Sequence, residues 1–146
     1  MNDATARRTP WHLWVVGVLS LVWNALGGFD YVMTKTHNPK YLGAFTPEVR
    51  AWFDSYPLWM NVAWALGVWT GILGSLLLLL RSRWAVHAFA VSLAGLAVST
   101  VYQYLIGTMP ESLRTNGGTG FTAVLWVVAG LLLWYAVRQR ASGVLR

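Results

Sequence analysis

Four long apolar runs separated by short polar connections set the pattern of this chain. They extend over residues 11–33, 57–80, 84–106 and 121–138. Roughly 20 apolar residues suffice for a helix to cross the hydrocarbon core of a bilayer. The pattern therefore predicts an all-α integral membrane protein, a bundle of four transmembrane helices forming a single transmembrane domain over residues 1–146. Arg7, Arg8 and the small residues Ala25 to Gly27 also have the outline of a secretory signal. The first run, however, is rich in Trp and continues to Met33, so it reads as a retained helix.

Between the first two runs lie residues 34–56, and their pattern is ordered. Asn38-Pro39 is a turn signal. Thr46-Pro47-Glu48 reads as an N-cap, a first-turn proline and an acidic first turn. Val49, Trp52, Phe53 and Tyr56 follow at helical spacing, with Glu48, Arg50 and Asp54 on the other side. This predicts a short amphipathic helix over 47–55, lying in the interface with Trp52 and Phe53 turned to the membrane, and an Arg50–Asp54 pair on its polar side. Residues 107–120, with Pro110 and Thr115-Asn-Gly-Gly-Thr-Gly120, read as a flexible loop.

Composition strengthens the membrane reading. Of the 146 residues 56% are hydrophobic and 11% charged, and ten are tryptophan; indole favours the membrane interface. A net charge of +6 raises the question of nucleic acid, but the basic residues sit singly or in pairs at the edges of apolar runs, which is a topology signal. No nucleic-acid partner is expected. Of the eleven Lys and Arg residues, seven fall in the N-terminus, the second loop (Arg81, Arg83) and the C-terminus. Both termini are therefore expected on the cytoplasmic side. The absence of cysteine excludes disulfides, thiolate metal sites and a Cys nucleophile.

Against this background the stretch Trp23 to Met33 is anomalous, since it places Asn24 and Asp30 in a membrane span. Intramembrane carboxylates are costly and point to function. Asn61, near the start of the second run, and Gln103, near the end of the third, fall at the same depth as Asp30, together with Tyr31 and Tyr102. An outward-opening pocket formed from Asp30, Asn24, Tyr31, Asn61, Tyr102 and Gln103 would offer a charge, amides and aromatic faces to a small polar solute such as a sugar, or to an organic cation. The plain alternatives are that Asp30 snorkels outward or pairs with Lys35 or Lys40, and that the amides join helices. On a helical wheel Asn24 and Asp30 stand about 120° apart. His87 reads as an interfacial residue rather than a proton relay. His12, His37 and His87 belong to separate segments, so no metal site is expected, nor any cofactor. Without clustered acid–base groups an enzyme is not expected either.

Small residues form two stripes. Ala63, Gly67, Gly71 and Ser75 share one face of the second run; Ala88, Ser92, Gly95, Ser99 and Gln103 share one face of the third. Such stripes allow close helix approach. A homodimer through the Gly67/Gly71 or the Ser92/Ser99 face is expected from them.

Trp23-Asn24, Gly27, Asp30-Tyr31-Val32-Met33-Thr34, Asn38-Pro39, Tyr41-Leu42 and Trp64-Ala65-Leu66-Gly67-Val68-Trp69 together resemble a group of small four-helix inner-membrane proteins of proteobacteria, often labelled "sugar transporter". The likeness covers nearly the whole chain and implies a bacterial inner-membrane location, a four-helix fold and, through the label, a sugar-like solute. Small multidrug transporters also have four helices and a first-helix carboxylate, but here the first loop is longer and the carboxylate lies near the outer end. The proline motif of the semi-SWEET sugar transporters is absent. The expected function is thus a small transporter or binder of a polar solute. The alternative is a non-transporting accessory protein whose polar and small residues serve packing.

Overall fold

The computed structural model describes residues 8–146, so that Arg7, counted above for orientation, lies outside the described residues. The four apolar runs form α1 (Trp11–Lys35), α4 (Leu58–Leu79), α5 (Ala85–Val101, extended by a π-helical turn Tyr102–Ile106) and α7 (Thr119–Ala141). All four are long and apolar enough to cross a membrane, and they make a four-helix bundle. In the first long connection lie α2 (Pro39–Leu42) and α3 (Pro47–Asp54), and in the last α6 (Glu111–Leu113).

The order of packing is α1 on α4, α4 on α5 and α5 on α7. Its centre is the crossing of α4 and α5, made possible by the two small-residue stripes. A Cβ placed on Gly95 would lie 2.7 Å from the Ala63 carbonyl oxygen and 2.8 Å from the Gly67 backbone nitrogen. Ser92 Oγ donates to the Gly67 carbonyl at 2.6 Å. Gly71 receives the side chains of Asn24 and Ser92. Gly67, Gly71 and Ser92 are therefore consumed inside one chain. The Gly67/Gly71 face is thus met by α5 and α1, and the Ser92 side of α5 by α4. Ser99 too is buried.

α1 and α7 meet through side chains. His12 Nδ1 lies 2.5 Å from the Tyr135 hydroxyl at one end. Further along, the Trp23 and Phe121 rings are 6.5 Å apart. The first of these contacts is at the end of the bundle that carries Arg81, Arg83, Arg138 and Arg140, called here the basic end. Backbone there is tied by Arg83 N–H donating to the Arg146 carbonyl at 2.9 Å and Arg146 N–H donating to the Arg81 carbonyl at 2.8 Å. This pairing seats Val144 and Leu145 in a core with Leu13, Leu78, Phe89 and Leu132.

The opposite, loop end departs from expectation in three ways. First, α3 does not turn Trp52 to lipid: Trp52 is buried and its indole N–H donates to the Gly107 carbonyl at 3.0 Å, so the helix is docked on the bundle. Tertiary burial outweighs the interfacial preference of indole once a carbonyl is there to receive its N–H. Second, Asp54 pairs with His37 at 2.9 Å rather than with Arg50. Third, part of residues 107–120 is helical: after α6 comes a π-helical turn over Arg114–Gly118, with Asn116 and Gly117 leaving helical geometry and Gly117 at φ +90. His87 is exposed with its ring 4.9 Å from that of Trp84, in keeping with a helix-end residue.

The α4–α5 crossing gives the first prediction. Gly95→Val forces a branched side chain into backbone that cannot yield, and overpacking of this kind costs about 1–3 kcal/mol or more. Purified Gly95→Val protein should unfold several degrees earlier, whereas Gly130→Ala, with nothing within 4 Å of the added carbon, should melt like the parent.

Candidate functional site

Between α1, α4, α5 and α7 lies a cavity of about 550 Å³ that reaches the loop end. Such a volume is in the range of small-molecule sites. Of the residues singled out from sequence, Asn24, Asp30 and Gln103 line it; Tyr31, Asn61 and Tyr102 do not.

Asp30 owes its surroundings to the connection that follows α1. Asn38 Oδ1 accepts from the backbone N–H groups of Lys40 and Tyr41, both at 3.1 Å, and Pro39 occupies the first turn of α2. The capped turn fixes the backbone of Tyr41, whose hydroxyl donates to Asp30 Oδ1. Asp30 thus neither snorkels nor pairs with a lysine. Lys35 donates instead to Asn61 Oδ1, and its amine stands 5.6 Å from the Trp64 ring centre. Asn61 spends its amide N–H groups on the carbonyls of Tyr56 and Pro57, at 3.0 and 3.3 Å. It closes the start of α4 and has no share in the cavity wall.

The other residues divide in the same way. Asn24 lines the cavity, but its Nδ2 donates to Ser20 O at 2.8 Å and to Ser75 Oγ at 3.1 Å, joining α1 to α4. Tyr31 sets its ring edge-on against Trp64 at 5.0 Å. At the end of α5, where Gly107 N–H closes a π turn on the Tyr102 carbonyl, three consecutive side chains go to different surroundings. Tyr102 is buried against Tyr56 and Trp59, both rings at 5.3 Å. Gln103 faces the cavity and is 3.5 Å from the Tyr56 hydroxyl. Tyr104 donates to Thr122 on α7 at 3.1 Å. Such π turns are frequent at functional sites.

Sequence reasoning left out most of the aromatic wall. Tyr41, Phe45, Phe53, Tyr56 and Trp64 line the cavity near Asp30. The signal for Tyr41 was the Asn38-Pro39 cap, which predicts a helical turn and hence a fixed direction for the residues after it. For Phe53 and Tyr56 it was the amphipathic spacing of α3, assigned to lipid and in fact spent on the bundle. The deeper part is lined by Phe89, Leu125, Val128 and Leu132 and carries no charge.

Compared with known proteins, the chain matches no family model, no curated protein and no solved structure.

Burial, and then the hydrogen bond to Asp30 and its charge, push the Tyr41 hydroxyl above the usual tyrosine range. Burial does the same for Tyr56. A phenol whose folded pKa is raised favours the folded state fully below its unfolded pKa, near pH 10, and that contribution is lost as pH rises toward the folded value. Stability should accordingly be flat with respect to these two groups below about pH 10 and fall above it. Tyr41→Phe and Tyr56→Phe should each flatten the alkaline limb of a pH–stability curve followed by tryptophan fluorescence.

Proposed function

We propose that the protein is a multi-pass protein of a bacterial inner membrane that binds a small solute in the cavity at the loop end and moves it across the bilayer. The observation that carries this reading is Asp30, a carboxylate in a membrane span that lines a cavity of ligand size. Gln103 shares the wall, and Phe53 of the docked α3 and Tyr56 just after it cover the cavity. The gathering of Arg81, Arg83, Arg138 and Arg140 at the other end supports an orientation with the basic end in the cytoplasm and the cavity facing outward. Four helices rarely enclose an alternating-access path alone, and many transporters work as two related halves. Within one chain the Gly67/Gly71 and Ser92 faces already pack α4 against α5 and α1, which favours another surface for a dimer.

The accessory reading draws support from Asn24, Asn61, Tyr31 and Tyr102, whose polar and aromatic groups are engaged in joining elements of the chain. Asp30 separates the two. In reconstituted vesicles, Asp30→Asn should abolish uptake of the solute while leaving the helical content and elution volume unchanged. Unaltered uptake and binding of every solute tested would overturn the transport reading and favour the accessory one.

Orientation can be tested cleanly because the chain has no cysteine. Ala44→Cys, exposed after α2, should react with an impermeant maleimide added to intact spheroplasts. Ala141→Cys, exposed at the basic end, should react only after permeabilisation.

A further inference from the structure

We infer that the cavity takes a lipophilic organic cation, its charged head beside Asp30 and its apolar body between α1, α5 and α7. The inference rests on the small-solute reading above and names the class of solute.

Charge is the first argument. Among the described residues, Asp30 is the one member of the cavity wall with a formal charge. Lys35, Lys40, Arg50 and Arg114, the basic residues toward the same end, do not line the cavity. Lys35 is taken up by Asn61 and the Trp64 ring. Tyr41 supplies Asp30 with a neutral hydrogen bond, and among the described residues the carboxylate has no cationic partner. A positive ligand would provide one.

The shape of the head site agrees. Tyr41, Phe45, Phe53, Tyr56 and Trp64 share the cavity with the carboxylate. Aromatic faces attract cations through the ring quadrupole, above all where water is excluded, and they recognise ammonium heads with bulky substituents as readily as simple ones.

The inner half decides between this class and a neutral sugar. Phe89 and Gln103 both line the cavity on the third span, and at 1.5 Å per residue they are about 20 Å apart along it. On the α7 side toward Phe89 the wall is Leu125, Val128, Ala129 and Leu132, and of the polar groups opposite, Asn24 Nδ2 already donates to Ser20 and Ser75 and the Ser92 hydroxyl to the Gly67 carbonyl. A polyol extending there would strand its hydroxyls, whereas an alkyl or aryl body would lose only contact with water. α1 and α7 meet through the Trp23–Phe121 and His12–Tyr135 side-chain contacts, and the apolar body would lie along that seam.

The test uses the full chain in nanodiscs of zwitterionic lipid, with empty nanodiscs as the blank. Tetraphenylphosphonium, tetramethylammonium and glucose are the probes, followed by equilibrium dialysis and tryptophan quenching. Tetraphenylphosphonium should bind saturably and more tightly than tetramethylammonium, and glucose should not displace it. Asp30→Asn should weaken it at least about tenfold, as expected for loss of one member of a desolvated charge pair. Ala129→Trp, remote from the Tyr41–Asp30 contact, should weaken tetraphenylphosphonium more than tetramethylammonium, and it serves where Asp30→Asn does not fold. Tetraphenylphosphonium binding that Asp30→Asn and Ala129→Trp both leave unchanged would overturn the cation assignment. Saturable binding of glucose, lost in Asp30→Asn, with no binding of either cation would overturn it too while sustaining the small-solute reading. Absence of Asp30-dependent binding for all three probes would count against both.

Discussion

The contact between Gly67 and Gly95, sealed by Ser92 Oγ on the Gly67 carbonyl, governs the rest of the bundle. Within a bilayer there is little hydrophobic force to draw helices together, and close backbone approach with interhelical hydrogen bonds takes its place. Because α4 and α5 approach so closely, they behave as one thin wall. α1 packs on one member of that wall and α7 on the other, and larger side chains hold this outer pair apart. The cavity is what remains between them. Its existence follows from unequal helix spacing, tight at the glycine crossing and wide opposite it.

How much of this was legible in the sequence depends on whether the signal was local. The spans were readable because a bilayer imposes a length and a composition on each helix separately. α3 was readable from Thr46, Pro47 and the spacing of Val49, Trp52, Phe53 and Tyr56. Which surface that helix would meet was not, since an amphipathic face suits lipid and a protein bundle equally well. The small-residue stripes likewise announced a close contact without naming its partner. They served α4 against α5 in one chain, although a second copy would have suited them as well.

The candidate site shows the same division. Depth along the membrane could be counted from helix ends, and it grouped Asp30 with Asn61 and Gln103. Direction around α5 was legible for Gln103, which lines the cavity together with Ser92, Gly95 and Ser99 of the same stripe. Tyr102, about 100° round the helix from it, went to the packed core instead. Lys35, one of the alternative partners for Asp30, was claimed by Asn61, and a hydroxyl from beyond the span took that place.

The pairing of Arg146 with Arg81 and Arg83 carries a consequence for motion. Any rearrangement that opened the basic end would have to release two backbone hydrogen bonds and expose Val144 and Leu145. Net hydrogen bonds contribute about 0.5–1.5 kcal/mol each, and burial of such side chains about 1.5–3 kcal/mol each. A latch of that strength would keep a conformer open at the basic end to a small minority at rest. That closure is held by a short stretch of chain at the opposite end of the bundle from Asp30.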